Sequence, residues 1–219
     1  MEKFIRPLIL FLAGLNLYSP ESTGQTTNQS FEFNPVNKRY VHLPVKTGAA
    51  KTWMAVNIDG ILQHEFEIEL APENPDFYAT LEVGQWMGKK LTLTAEKATD
   101  ISGWTGLIKM SDEMSDEELV YKEEYRPQFH FSPRRGWTND PNGLVYYKGT
   151  FHLFFQHNPY GTSWGNMTWG HAVSNDLMHW KEKSDAVLPD ENGVVFSGSA
   201  VVDWYNSSGL QTKILCQRE

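Results

Sequence analysis

The feature that most constrains the fold is an alternation of charged and apolar residues with a period of two. In segment 61–70, ILQHEFEIEL, glutamates occupy every second position from Glu65 to Glu69, and the residues between and after them are apolar. This pattern is typical of a half-buried β-strand, which turns carboxylates to water and apolar side chains to a core. Segment 90–96, KLTLTAE, alternates in the same way, and Asp59-Gly60 is a two-residue hairpin signal before segment 61–70. These features predict a small antiparallel β domain of the sandwich type over residues 30–111.

The rest of the chain begins with a block of acidic residues. Residues 112–124, DEMSDEELVYKEE, hold seven acids and one base, which indicates a linker or an exposed helical turn because such a block repels itself. Beyond it, residues 125–219 contain short β-rich runs: GLVYYKG and TFHLFFQHN, joined by a hairpin at 148–150, and then MTWGHAVS and FSGSAVVD. No segment of helical length in this region has a 3.6-residue period. We therefore predict an all-β protein with a second β unit over residues 125–219.

The composition and the N-terminus limit the classes of partner and the compartment. The chain has 219 residues and a formal net charge of −8, which argues against a nucleic-acid-binding surface, since that surface requires clustered Lys and Arg. Residues 1–24 hold two basic residues, an apolar run from Leu8 to Leu15 and then polar residues, the pattern of a signal peptide. We expect an exported protein, periplasmic, on the cell surface or extracellular. The apolar run is too short for a permanent membrane span, and the single cysteine, Cys216, allows no intramolecular disulfide.

Two apparent motifs are rejected. GTSWG, at 161–165, matches the G-x-S-x-G pattern of a serine nucleophile elbow, but that elbow needs a helix directly after it, and a strand-like segment follows here. His152 and His157 lie five residues apart on a predicted strand and therefore face opposite sides. Neither His nor Cys shows the spacing of a zinc site. We expect no metal ion and no cofactor.

The sequence WTNDPNG surrounds a carboxylate, Asp140, with turn-forming residues. Asn, Asp, Pro and Gly favour a tight turn, which would fix the direction of that carboxylate. Three other features suit a sugar: Gln156 at the end of an apolar strand, Trp164 in a Gly-rich loop, and Phe196 with Ser197 in an FSGS turn. Polar groups of this kind bind hydroxyls, and indole rings cover the C–H faces of a sugar. We interpret the set as a candidate carbohydrate site, with a carbohydrate as the partner.

Four motifs in their order along the chain resemble glycoside hydrolase family 32, the family of invertases, levanases, inulinases and other fructan hydrolases. They are WTNDPNG, FQHNPYG, WGNMTWGHAVSNDLMHW and FSGSA, and the resemblance covers residues 125–203. It implies a five-bladed β-propeller and a retaining mechanism in which Asp140 is the nucleophile that attacks the anomeric carbon of a β-fructofuranosyl unit. It also implies a subsite for that fructose, and the residues expected to line it are Asn139, Gln156, Trp164, Phe196 and Ser197.

The sequence departs from the family pattern in two later motifs. An Arg-Asp-Pro motif, whose Asp stabilises the transition state, and a Glu-Cys motif, whose Glu is the general acid/base, are both absent from the 219 residues. Residues 125–219 are also sufficient for only about two blades, at roughly 40–50 residues each. We therefore expect the N-terminal piece of a longer β-fructosidase, arisen by truncation or frameshift and inactive alone.

Two alternatives remain open. The first is a non-catalytic fructan-binding protein that uses the same aromatic and polar groups without cleaving the sugar. The second is an arabinan hydrolase of a related propeller family, in which the leading carboxylate is an inverting base and the two carboxylates stand farther apart. Gln156 and the FSGSA motif argue against the second alternative. The sequence does not distinguish sucrose, inulin and levan as substrates, or endo from exo action.

Overall fold

The strands account for almost all regular structure in the computed structural model, which describes residues 27–98, 103–115, 117–190 and 192–210. The predicted signal peptide, residues 1–24, and Cys216 lie outside the described residues. Three short 3-10 helices occur within the described ranges, at Gly84–Trp86, Trp104–Gly106 and Glu117–Leu119, the last of them in the acidic block. The strands of the described ranges are β1 (Thr27–Phe33), β2 (Tyr40–Val45), β3 (Thr52–Ile58), β4 (Ile61–Ile68), β5 (Phe77–Glu82), β6 (Leu91–Ala98), β7 (Lys109–Ser111), β8 (Trp137–Tyr147), β9 (Thr150–Asn158), β10 (Thr168–Ser174) and β11 (Trp180–Glu182). The prediction of an all-β protein is confirmed.

The first seven strands form two antiparallel sheets that share one apolar core. One sheet has the order β1-β6-β3-β4 and the other the order β5-β2-β7. Both contribute to a single buried cluster that includes Leu43 of β2, Met54 of β3, Phe66 of β4 and Leu93 of β6. Fully burying a side chain of this size contributes about 1.5–3 kcal/mol relative to leaving it exposed. The predicted sandwich therefore follows from two amphipathic sheets burying their apolar faces against each other.

Local sequence signals account for the strands and hairpin of this sandwich. In β4, His64, Phe66 and Ile68 are buried while the glutamates between them are partly exposed, so the period-two prediction is confirmed. Asp59 and Gly60 join β3 to β4 with φ of 50° and 83°. Positive φ at both residues is the requirement of a type I′ turn, which matches the twist of the strands that it connects.

The remaining strands form a third antiparallel sheet, of order β11-β10-β9-β8. The predicted hairpin is confirmed, since Lys148-Gly149 connect β8 to β9 with φ of 48° and 85°. A four-stranded antiparallel sheet has the composition of one propeller blade. The number of blades, and the domain boundaries at 111 and 125, remain predictions.

The sequence WTNDPNG does not form the predicted turn. Its residues are the first part of β8, whose pairing with β9 shifts register between Thr138 and Pro141 and again between Asn142 and Val145. β8 lies at the edge of its sheet, and edge strands and bulges are the places where a sheet accommodates proline. The residues that signal a turn also suit a β-bulge, which bends the strand and redirects its side chains.

The predicted strand FSGSAVVD is also absent, since residues 196–203 have no regular secondary structure. The segment passes β8, and Gly143 N–H donates to Gly198 O over 3.2 Å. Because bulges interrupt the regular spacing of backbone donors and acceptors on β8, no continuous ladder forms there. No helix within the described part of the chain combines the length and apolar character required to cross a membrane.

Candidate active site

Asp140 and Ser197, which lie 57 residues apart in the sequence, form a hydrogen bond. The Ser197 hydroxyl Oγ donates to Asp140 Oδ2 over 2.7 Å. This distance is in the range of charge-assisted hydrogen bonds, which are stronger than those between neutral groups. Both side chains are exposed to solvent, so the carboxylate is fixed in direction and open to a ligand. The structure therefore brings together two of the predicted site residues from different motifs.

Backbone and side-chain contacts hold the segment that contains Ser197 against β8 and β10. Trp169 of β10 donates its indole Nε1–H to the carbonyl oxygen of Phe196 over 2.9 Å. The backbone N–H of Gly198 points to Asn142 Oδ1 at 3.4 Å. A Cβ atom on Gly198 would lie 3.1 Å from the Trp169 ring, so a residue without a side chain allows this close packing. The position of Ser197 beside Asp140 thus depends on an indole and an amide that sequence analysis did not select.

Two buried amides on one face of the sheet have polar atoms without protein partners. Gln156 is 3% exposed, and neither its Oε1 nor its Nε2 is hydrogen-bonded. Asn142 is 2% exposed, and its Nδ2 has no partner. Asn142 pairs with Phe154, and Gln156 is two residues beyond Phe154 on β9, so both amides belong to the same face. Buried polar groups left unpaired are costly unless water or a ligand satisfies them.

The amide of Asn142 is therefore a candidate binding group in addition to the predicted ones. In the sequence this residue belongs to a predicted turn, where asparagine is expected for backbone reasons. Only the bulge in β8, which turns Asn142 toward the face of Gln156, reveals the second role. Gln156 itself was selected because a polar residue ends an apolar strand, and its burial agrees with that reasoning.

The other three predicted residues differ in how they relate to Asp140. Asn139 is exposed in the bulge directly beside it. Phe196 is 68% exposed as a residue, and its carbonyl oxygen accepts the hydrogen bond from Trp169. Trp164 is 57% exposed in the loop between β9 and β10, and none of its hydrogen bonds or ring contacts within the described residues reaches Asp140.

Histidines on the two faces of β9 have different environments. His152 and His171 stack with their ring centroids 5.3 Å apart. Burial lowers the pKa of His171 to about 4, and the nearby His152 and Lys183 add to this effect. His157, on the opposite face, is buried, with Nδ1 2.9 Å from Asp185 Oδ1 and Nε2 2.9 Å from the carbonyl oxygen of Arg135. Burial alone would lower the pKa of His157, but the hydrogen bond and charge of Asp185 outweigh it and raise that pKa.

A cavity of about 440 Å³ lies on the side of the sheet opposite to Gln156. Its lining includes His64, Tyr160, Arg135, His157 and Asp185, and it contains none of the predicted site residues. Because adjacent residues of a strand project to opposite faces, His157 faces this cavity whereas Gln156 faces away from it. Within the described ranges, no three His, Cys, Asp or Glu side chains are grouped as ligands for a metal ion.

The contacts of Asp140 and the buried amides all occur in one stretch of sequence, and this stretch matches a known family. Residues 130–215 match the model of the glycosyl hydrolases family 32 N-terminal domain. We call residues 130–215, which match this model, the family 32 region. The resemblance predicted from the four motifs is therefore confirmed, and every predicted site residue lies inside the family 32 region.

Relatives of the family 32 region include a levanase, an exo-inulinase and an invertase. The levanase of Bacillus subtilis (strain 168) is 61% identical over 96 residues, which are 44% of this chain and 14% of the levanase. The extracellular exo-inulinase of Aspergillus awamori is 56% identical over 95 residues, 41% of this chain and 18% of that enzyme. The crystal structure of the Aspergillus awamori exo-inulinase is similar over 42% of this chain and 19% of its own, with 53% identity and a TM-score of 0.40. The chain thus spans less than a fifth of the length of each of these relatives.

Proposed function

We propose that the family 32 region supplies the nucleophile and part of the fructose subsite of an exported β-fructosidase, which cleaves β-fructofuranosyl linkages of fructan or sucrose. The observation that carries this proposal is the hydrogen bond of 2.7 Å between Ser197 and Asp140. It joins two distant motifs around an exposed carboxylate, in a region 61% identical to a levanase. The names of the relatives support a fructose polymer as the substrate class.

Asp140 is proposed to attack the anomeric carbon and form a covalent fructosyl-enzyme. In a retaining glycosidase, a second carboxylic acid about 5–5.5 Å away protonates the leaving oxygen and then, as a base, activates the water that releases the sugar. The hydrogen bond from Ser197 holds Asp140 in one direction before the substrate arrives. A nucleophile held in place makes attack effectively unimolecular, and this orientation contributes to the rate.

The polar lining proposed for the fructose consists of Gln156 and Asn142, with Asn139 beside the nucleophile. The unpaired amide atoms of Gln156 and Asn142 gain partners when sugar hydroxyls occupy the site. Phe196 and Trp164 offer exposed rings that suit the C–H faces of a sugar. No cofactor is required in this scheme.

The general acid/base is proposed to come from residues outside these 219. A Glu-Cys sequence, which the family uses for that group, does not occur among them. A nucleophile without a proton donor leaves the glycosidic oxygen unprotonated, so we expect no turnover by the 219-residue chain alone. Export is proposed from the N-terminal signal pattern, and it agrees with the extracellular exo-inulinase among the relatives.

The decisive test is Asp140→Asn in a complete enzyme that contains this region. We expect kcat for fructose release from sucrose or levan to fall by roughly 10⁴- to 10⁶-fold, as for removal of other catalytic nucleophiles or bases. Asp190→Asn, at an exposed carboxylate in the same region, is the matched control and should leave kcat within about twofold. Fructose release by the Asp140→Asn enzyme at the unmodified rate would exclude Asp140 as the nucleophile. If a full-length protein that contains this region binds fructan tightly but releases no fructose, the binding-protein alternative is favoured.

A further inference from the structure

The side chain of Asn166 completes the edge of the sandwich. β4 is the last strand of its sheet, so one side of its backbone lacks a neighbouring strand. Asn166 Oδ1 accepts from the Glu67 backbone N–H over 2.9 Å, and Asn166 Nδ2 donates to the Glu67 carbonyl oxygen over 2.8 Å. These are the two bonds that a residue of an adjacent strand would make. The carboxamide therefore pairs with an exposed strand edge that would otherwise stay open.

The same carboxamide is bonded to the strand that carries Gln156. Asn166 Nδ2 also donates to Asn158 Oδ1 over 3.0 Å, at the buried end of β9. Asn158 Nδ2 in turn donates to the carbonyl oxygen of Ser163 over 2.9 Å, inside the loop between β9 and β10. Asn166 has a φ of 47°, a left-handed conformation that asparagine tolerates better than most residues. One asparagine thus links the sandwich edge, the third sheet and the loop between them.

Tyr160 anchors the other end of this loop in the sandwich core. Its ring stacks on Phe66 of β4 with centroids 3.8 Å apart and an angle of 17°. Its hydroxyl lies 3.2 Å from His64 Nε2, and the side chain belongs to the buried cluster of the sandwich. The loop from 161 to 165, with Trp164 in it, therefore lies between two residues that are both fixed to β4.

We propose that β4 of the sandwich positions the Trp164 loop at the fructose site, and that Asn166 is the positioning residue. This inference rests on the proposed function of Trp164 as a sugar-contacting ring. An indole that is held in place before binding loses less conformational entropy when the sugar docks, so the sandwich contributes to affinity without touching the sugar. The N-terminal sandwich then supports the substrate site from outside it and is not an independent module.

The geometry predicts which kinetic constant changes. Asp140 is oriented by Ser197 and by the bulge of β8, and none of these contacts involves the Trp164 loop. Releasing the loop should therefore weaken substrate binding and leave the attack step intact. In a complete enzyme we expect KM to rise about tenfold while kcat stays within about twofold, a split that general destabilisation of the fold does not produce.

Asn166→Gly removes the carboxamide and leaves a residue that adopts a φ of 47° without strain. Asn74→Gly is the matched control, since Asn74 is exposed and has a φ of 44°. Hydrogen exchange of the 219-residue chain measures whether Asn166 joins the Trp164 loop to β4, and this measurement requires no enzymatic activity. We expect the amides of Glu67 and Tyr160, which donate to Asn166 Oδ1 and Asn158 Oδ1, to exchange about tenfold faster in Asn166→Gly, and at the unmodified rate in Asn74→Gly.

Asn166→Asp is a second variant, whose side chain has the same size as that of asparagine. It retains an acceptor for the Glu67 N–H but loses the donor to the Glu67 carbonyl oxygen and to Asn158 Oδ1. In this variant the Glu67 amide should stay protected while the Tyr160 amide, which donates to Asn158 Oδ1, exchanges faster. Unchanged exchange of the Tyr160 amide in both variants would overturn the proposal, as would a KM in the complete Asn166→Gly enzyme equal to that of the Asn74→Gly enzyme. If no complete enzyme releases fructose, the proposed function fails, and the exchange experiment still decides whether β4 holds the loop.

Discussion

Truncating Tyr160 should destabilise the sandwich although this residue lies outside its strands. Tyr160 is 6% exposed and stacks on Phe66, in a loop where it lies 96 residues after its other partner in the sandwich, His64. Burial raises the pKa of Tyr160 and lowers that of His64 to about 4, so both groups are neutral near pH 7. A hydrogen bond of 3.2 Å then joins the hydroxyl to His64 Nε2. Tyr160→Ala removes both the ring and this hydrogen bond, whereas Tyr160→Phe removes only the hydrogen bond.

The two variants should differ in magnitude. Replacing a buried aromatic ring with alanine costs about 3–5 kcal/mol, through lost transfer energy and the cavity left behind. Losing one hydrogen bond to a buried partner costs about 0.5–1.5 kcal/mol. We therefore expect about 4 kcal/mol for Tyr160→Ala and about 1 kcal/mol for Tyr160→Phe. With a urea m-value of about 2 kcal/mol/M, the unfolding midpoint falls by about 2 M and about 0.5 M.

Urea unfolding of the 219-residue chain, followed by near-ultraviolet circular dichroism, measures both shifts. Tyr125→Ala is the matched control because that side chain is 89% exposed, and its substitution should change the free energy of unfolding by less than about 0.5 kcal/mol. A midpoint for Tyr160→Ala equal to that of Tyr125→Ala would refute the assignment of Tyr160 to the sandwich core. Equal shifts for Tyr160→Ala and Tyr160→Phe would refute the ring as the main contribution.

Two further predictions concern the third sheet. A methyl group on Gly170 would overlap the Phe155 ring, so Gly170→Ala should destabilise the chain by about 1–3 kcal/mol in urea unfolding, while Gly106→Ala, with open space around it, should not. Asp185 raises the pKa of buried His157 above its usual 6.5, so the stability from this pair is complete below pH 6.5 and is lost as the pH rises through the raised pKa. The difference in urea midpoint between the unmodified chain and Asp185→Asn should therefore shrink from pH 6 to pH 9, and a difference that stays constant would contradict the assignment.

The candidate site was partly predictable because its chemistry is encoded in local motifs. Asp140, Gln156 and Ser197 were selected from residue type and context, and the structure brings Asp140 and Ser197 into contact. Asn142 and Trp169 were missed, since each has an ordinary local explanation, a turn residue and a strand aromatic. Their functions depend on partners that are distant in sequence. Asn142 accepts from the Gly198 backbone N–H, and Trp169 donates to the Phe196 carbonyl oxygen.

The sequence by itself determined strands β4 and β6 of the sandwich and the hairpin before β4. Alternation of apolar and charged residues decides which face of a strand is buried, and Asp59-Gly60 decides the turn, because both are properties of adjacent residues. Tertiary structure alone decided that WTNDPNG is a bulged edge strand and that residues 196–203 form no strand. It also decided that Tyr160 packs on Phe66 in the sandwich core and that Asn166 bonds the edge of β4. In each of these cases the same local residues suit more than one backbone conformation. The conformation that forms is selected by the contact with a partner that is distant in sequence.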